Sequence, residues 1–299
     1  MSVLAFDIGG THLRSARVES DGQLLSRRDR STPLHSCEAL VAALVEEGRA
    51  QLAAAPAASR PAAVGLAMAG YTDTASGRVF DSPSLGLRDA LVGPPLQDAL
   101  GLPVRLVNDV NAAALAEARR SGKQDLVAIL VGTGVGTGFV SGGLMLEGHR
   151  GMAAEGGHAI WKADGPSCPA GHRGCYQSYL GGQALVERAR DAGLRATTAE
   201  LVALWRGGDP RATALMRDAQ AALAALCKLL VTLLDPELVV LAGGVALATP
   251  ELLETARRAL DPHPLAPQAG AVPVEPAQLG EDAGLIGAAL LAQQLALRR

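Results

Sequence analysis

Leu4-Ala5-Phe6-Asp7-Ile8-Gly9-Gly10-Thr11-His12 is the stretch from which this 299-residue chain is read: an apolar run of strand character ends on a carboxylate and breaks into two glycines beside a hydroxyl. Positions without side chains let backbone N–H groups approach phosphate oxygens, and a carboxylate at a strand end can hold the water shell of Mg²⁺. Asp7, Gly9, Gly10, Thr11 and His12 are therefore expected to bind nucleotide phosphate, against the simpler reading of a hairpin turn. Recurrence separates the two. The apolar run Leu126–Val131 leads into Gly132-Thr133-Gly134, and Leu238–Ala242 leads into Gly243-Gly244. Three strand-end glycine clusters in one chain favour phosphate binding over three unrelated turns.

Two common phosphate motifs are excluded. A dinucleotide-binding glycine turn opens directly into a helix, whereas both Gly9-Gly10 and Gly132–Gly138 open into further strands, and no G-x-x-x-x-G-K-[ST] loop occurs. What remains is a clamp of two β-turns, one from each of two similar lobes. Composition agrees with a globular protein: 48% hydrophobic and 19% charged residues, with a formal net charge of −3. Aromatic residues are only 3%, and no basic run stands out, so nucleic acid is not the expected partner. The longest apolar tract, 221–234, contains Cys227 and Lys228 and falls short of the roughly 20 residues that span a bilayer. No leader pattern precedes Asp7, so a cytoplasmic protein without a membrane partner is expected. Four cysteines suggest no disulfide framework; Cys37 and Cys227 read as small core residues.

Along the chain, strands are expected over 4–8, 13–18 and 23–30, with Asp21-Gly22 turning the second pair. Ser36 caps a helix over 37–54 whose apolar face includes Ala39, Leu40, Ala43, Leu44 and Leu52. A strand over 62–68 leads to 69–91, read as one long substrate-holding loop, then to a short helix over 96–100, a strand over 104–107 and a helix over 112–120. A second series repeats the plan: strand 126–131, glycine-rich turn 132–138, strands 139–141 and 144–146, an irregular segment 148–182, helices 184–192 and 212–234, and strand 238–242. The last helix, 283–297, is apolar almost all round in its first half and should be buried.

These motifs together resemble the superfamily of sugar kinases, heat-shock ATPases and actin, and within it the ROK family of bacterial sugar kinases and repressors. The resemblance implies an α/β, two-lobed actin-like ATPase fold, each lobe a duplicated ribonuclease-H-like mixed sheet with helices. The lobes would be 1–112 plus 284–299, and 113–283. Asp7 to His12 matches the first phosphate motif, Gly132, Thr133 and Gly134 open the second, and Gly243-Gly244 matches the adenosine-side turn. Asn108-Asp109-Val110-Asn111 matches the catalytic segment, implying that Asp109 takes the proton of the attacking sugar hydroxyl while Asn108 orients the sugar. Glu155-Gly156-Gly157-His158 matches the family's E-x-G-H sugar motif. ATP, Mg²⁺ held through Asp7, a small-molecule sugar and a homodimer follow from the same resemblance.

The chain also departs from the pattern. The family's zinc loop, C-x-C-G-x-x-G-C with the E-x-G-H histidine, reads here Cys168-Pro169-Ala170-Gly171-His172-Arg173-Gly174-Cys175. His158, Cys168 and Cys175 remain, and the middle cysteine is Ala170. Three ligands leave a position for water or nearby His172, giving zinc of weakened affinity, or else a loop held by packing alone. Gln177 stands where the sugar kinases carry Glu, and Ser84 where Asn is common. The expected activity is phosphorylation of a hexose primary hydroxyl, glucokinase-like, with N-acetylmannosamine, N-acetylglucosamine or fructose as alternative acceptors. A non-catalytic sugar-sensing regulator is the other class, without the helix-turn-helix domain that repressors carry ahead of Asp7.

Overall fold

The computed structural model describes residues 2–297. Two compact units emerge: one runs from the N-terminus to Arg120 and takes in Met145–Ala153 and the chain from Leu279 onward, and the other comprises Ser121–Leu144 and Ala154–Gln278.

In the first unit, β1 (Val3–Ile8), β2 (His12–Val18) and β3 (Leu24–Ser31) form an antiparallel meander. α1 (Cys37–Ala53) starts at Ser36, whose hydroxyl accepts the Ala39 N–H at 3.1 Å. Its buried face is Leu40, Ala43, Leu44, Glu47, Gly48 and Gln51, so Ala39 is exposed rather than part of it. Gln51 is buried because its amide donates to Ser15 Oγ at 3.2 Å and to Ser26 O at 2.7 Å, a polar tie to β2 and β3 that an apolar periodicity does not register. Cys37 is half-buried, its thiol 3.5 Å from Leu91 O.

β4 (Val64–Met68) runs parallel to β1. The following stretch is not the single loop expected: β5 (Tyr71–Asp73), β6 (Arg78–Ser82) and β7 (Leu87–Leu91) make a separate antiparallel sheet. Its strands are short, and their Ser-, Asp- and Gly-containing turns mask them. α2 (Gly93–Leu100), β8 (Val104–Asn108) and α3 (Asp109–Ser121) complete this stretch, and the main sheet has the order β3-β2-β1-β4-β8.

The second unit repeats that order. β9 (Leu126–Val131), β10 (Val135–Ser141) and β11 (Leu144–Met145) lead into α4 (Tyr176–Leu180), α5 (Gly182–Asp191), α6 (Thr198–Arg206) and the long α7 (Pro210–Leu234). β12 (Leu238–Ala242), α8 (Gly244–Ala248), α9 (Pro250–Ala259) and β13 (Val274–Pro276) close the sheet as β11-β10-β9-β12-β13. The glycine-rich turn is narrower than expected, because the strand resumes at Val135 and pairs Gly136 and Gly138 with Leu130 and Ala128. α4, α6, α8, α9 and β13 are absent from the sequence reading, α4 lying inside the segment 148–182 read there as irregular, although the Thr197/Glu200 capping box at α6 is a readable helix start. Cys227 lies in the core of α7, where burial pushes its thiol up to about 12. No helix among the described residues is long and apolar enough to cross a membrane.

α10 (Ala283–Leu297) belongs to the first unit and packs on β1, β4 and β8. Leu4, Phe6 and Ile8 enter the core on the α1 face, while α10 covers the other, so β1 is buried on both sides. That explains a helix apolar almost all round. Glu117 of α3, buried, accepts the Leu279 N–H at 2.9 Å and pins the chain just before α10. The approach of helix to sheet is close enough that a Cβ on Gly65 would stand 2.0 Å from Ala288 O. Gly65→Ala is therefore expected to destabilise the protein by about 1–3 kcal/mol, read as a lower urea midpoint with an unchanged slope.

Candidate functional site

In the first unit the phosphate turn sits between β1 and β2. Gly9 N–H donates to His12 O at 3.0 Å, and Thr32, just beyond β3, secures the turn by donating its hydroxyl to Gly9 O at 2.8 Å and its N–H to Thr11 O at 3.1 Å. His12 and Thr11 are exposed, with His12 Nδ1 2.9 Å from Asp29. A Cβ on Gly10 would lie 3.0 Å from Ser84 O, so the expected sugar loop adjoins the turn.

Asp7 leaves the sheet on the α10 face, where Gly284 admits its carboxylate: a Cβ there would meet Oδ1 at 2.5 Å. Its side chain is 15% exposed and its neighbour Arg14, opposite it on β2, donates to Oδ2 at 3.3 Å. Burial first, and then the charge of Asp109, push the Asp7 carboxyl up to about 6, with Arg14 pulling the other way. Burial also raises Asp109, opposed by the Val110 N–H at 2.9 Å from its Oδ1. Two carboxylates thus share one poorly solvated region, a setting that a cation or a proton relieves.

Asn108 and Asp109 straddle the junction of β8 and α3. The helix-capping task falls to Asn108, whose Oδ1 accepts the N–H groups of Val110 at 2.9 Å and Asn111 at 3.1 Å while its Nδ2 donates to Gly70 O at 3.1 Å.

In the second unit the turn Gly132-Thr133-Gly134 is closed by Gly132 N–H on Gly134 O at 3.0 Å. The first N–H groups of α5 hold it: Gly182 donates to Gly132 O at 2.9 Å and Gln183 to Thr133 O at 3.0 Å. Gly243 has φ +92°, and a Cβ there would sit 2.4 Å from Val131 O, so only glycine brings the start of α8 against the end of β9. A cavity of about 410 Å³ is lined by Gly132, Thr133, Gly182, Val186, Arg190 and Val245, and a wider depression of about 720 Å³ shares Val186 and Arg190 and reaches Arg195 and Glu200. Val186 and Arg190 of α5, Arg195 after it and Glu200 of α6 belong to no motif that the sequence displays.

Glu155 follows Ala154, a non-glycine residue at φ +71° whose carbonyl accepts the Thr137 hydroxyl; the same Thr137 Oγ1 accepts Gly156 N–H at 2.9 Å. β10 thereby fixes the short turn Gly156–His158 and sets the direction of Glu155.

The sequence profile of the ROK family matches residues 3–295. The chain belongs to the ROK family. An N-acetylmannosamine kinase from Citrobacter koseri is 35% identical over 298 residues, covering 98% of this chain and 99% of that protein. The crystal structure of the ROK hexokinase from Thermus thermophilus superimposes with a TM-score of 0.88 at 34% identity, covering 100% of both chains. A ROK family glucokinase from Streptomyces griseus, solved in complex with glucose and AMPPNP, gives 0.77 at 31% identity, covering 98% of this chain and 100% of that one. The two similar sheets are thus those of the actin-like, two-lobed ROK fold.

This ROK chain keeps a metal-type cluster despite Ala170. Donor atoms of His158, Cys168, His172 and Cys175 all lie within 4.8 Å of one another. Burial, then the charge of His172, hold His158 below the usual imidazole range, which leaves it neutral and able to ligate. Among the described residues His172 Nε2 is buried without a hydrogen-bond partner, and two thiols with two imidazoles are a donor set suited to zinc. Gln177, expected at the sugar, spends its Oε1 on Val135 N–H at 3.0 Å and turns its Nε2 to Cys168 Sγ at 3.8 Å.

Asp7 yields a stability prediction. With a folded pKa of about 6 against 3.8 for the free side chain, the folded state holds the proton more tightly, so stability falls as pH rises between those values and stays lowered above 6. In magnesium-free buffer Asp7→Asn should raise stability at pH 7.5 by on the order of 1–3 kcal/mol, and the advantage should vanish by about pH 4. Thermal melts of both proteins across pH measure it.

Proposed function

We propose that this ROK protein is an ATP-dependent sugar kinase that transfers the γ-phosphate to the primary hydroxyl of a hexose, glucose being the first acceptor. The observation that carries the proposal is Asp109, a carboxylate of raised pKa at the start of α3, beside Asp7 and next to an Asn108 fixed by three hydrogen bonds. A base of that kind takes the hydroxyl proton as the oxygen attacks phosphorus. Most of the remaining work is positioning and neutralisation of charge. In each unit by itself, the backbone N–H groups proposed for phosphate are those of Gly10 and Thr11 and of Thr133, because Gly9 N–H and Gly132 N–H are spent within their turns, and the cavity lined by Val186, Arg190 and Val245 is the one proposed for the nucleoside. Mg²⁺, for which buried Asp7 is the fitting carboxylate, offsets phosphate charge when bound. Glu155 and His158 receive sugar hydroxyls. Zinc is the structural metal proposed for His158, Cys168 and Cys175, where it would hold the loop after the E-x-G-H motif. A cytoplasmic homodimer without a nucleic-acid partner is part of the same reading, supported by the family resemblance.

N-acetylmannosamine is the second acceptor, favoured by the 35% identity to a kinase of that sugar over nearly the full length of both proteins. ADP release over glucose, N-acetylmannosamine, N-acetylglucosamine and fructose separates them. One sugar should stimulate turnover, and Asp109→Asn should lower kcat about 10²–10⁴-fold with little change in sugar KM. Sugar binding without any stimulated ADP release would replace the kinase reading with that of a sugar-sensing regulator. Turnover surviving Asp109→Asn would remove Asp109 as the base.

A further inference from the structure

We infer that His172 supplies the fourth ligand of a Cys₂His₂ zinc site, replacing the cysteine lost at position 170, and that the ligated Cys168 sulfur then orients Gln177. The inference rests on the metal reading above and extends it in ligand set and consequence.

The backbone makes the exchange possible. Gly171 N–H donates to Cys168 O at 3.0 Å and Cys168 N–H to His172 O at 2.8 Å, while Ser167 and Arg173 pair as a short bridge. The loop therefore folds back so that residues 168 and 172 lie side by side, whatever occupies position 170. Gly174 N–H on Pro166 O at 2.8 Å and the Ile160–Cys175 bridge bring Cys175 to the same place. A methyl group at Ala170 offers no ligand atom, but an imidazole two residues later reaches the cluster.

Distances and satisfaction support the full set of four. Tetrahedral zinc with bonds of about 2.1 Å to nitrogen and 2.3 Å to sulfur separates its donors by roughly 3.4–3.8 Å. Here all four donor atoms lie within 4.8 Å, Cys168 Sγ is 3.7 Å from His158 Nδ1, and the two imidazoles meet edge to face at 5.2 Å between centroids. Side-chain adjustments of about an ångström close the site. Cys168 Sγ and His158 Nδ1 contact each other, but among the described residues His172 Nε2 is buried and unpaired, which is costly. Two sulfurs and two nitrogens in this arrangement suit zinc better than an oxygen-seeking cation.

Gln177 reads the state of the site. A zinc-bound cysteine is a thiolate and a stronger acceptor than a thiol, so the Gln177 Nε2 contact at 3.8 Å strengthens on coordination. That fixes the amide with its oxygen toward Val135 N–H, the first residue of β10 beyond Gly132–Gly134. Gln177 is thus a positioning residue that links the metal loop to the phosphate turn.

The test is zinc per chain in protein purified without chelator, competition with a zinc-binding dye, and the absorption spectrum after cobalt substitution. Wild type should hold one zinc, and its cobalt form should show a tetrahedral spectrum. His172→Ala should bind at least about tenfold more weakly. Ala170→Cys in the His172→Ala background should restore affinity and add a third sulfur-to-cobalt contribution, which rules out misfolding as the cause of the loss. Equal zinc affinity in wild type and His172→Ala overturns the inference, as does the absence of zinc binding by wild type in a direct titration. Zinc bound through His172 with no sugar turnover leaves this inference standing and counts against the kinase reading; turnover without zinc does the reverse.

Discussion

A carboxylate at the end of a strand buried on both faces is the constraint on which the first unit depends. β1 is covered by α1 on one side and α10 on the other, so Asp7 ionises with little water around it. Its surroundings answer that cost with few groups: Arg14 across the strand pair, and glycine at 284, which lets the carboxylate lie against the start of α10. Asp109 adds negative charge to the same region. A site that raises the energy of its own carboxylates is poorly arranged for stability and well arranged to hold a cation and accept a proton.

The second unit uses the same strand order for a different task. Its strand-end turn carries no carboxylate in the position of Asp7; instead Gly132-Thr133-Gly134 is held by the start of α5, and Gly243 lets α8 approach β9. The inserted segment after β11 adds the His/Cys loop, which reaches the turn through one side chain, Gln177. One sheet plan thus carries a pair of buried carboxylates in one copy and a helix-held glycine turn with a His/Cys loop in the other.

Much of this is legible in the amino-acid sequence. The strands 4–8, 126–131 and 238–242 were readable because each is a mostly apolar run that stops at a glycine cluster, and the last helix because its first half is apolar almost all round. The β5–β7 sheet was not, since its strands are three to five residues long and their turns read as one loop. Gln51 in the core, Thr32 at the turn and Thr137 beneath Ala154 were invisible for another reason: each is a polar residue whose partners lie on elements distant in sequence.

The amino-acid sequence alone determined the family, the doubled strand–glycine plan and the carboxylates, because those follow from local patterns of side chains along the chain. Tertiary structure decided which groups share an environment. It raised Asp7 by burying it beside Asp109, gave helix capping to Asn108, engaged both ends of the Gln177 amide and brought His172 together with His158, Cys168 and Cys175. Charge, hydrogen bonding and ligation act over a few ångströms in space, and the packing of distant segments sets those ångströms.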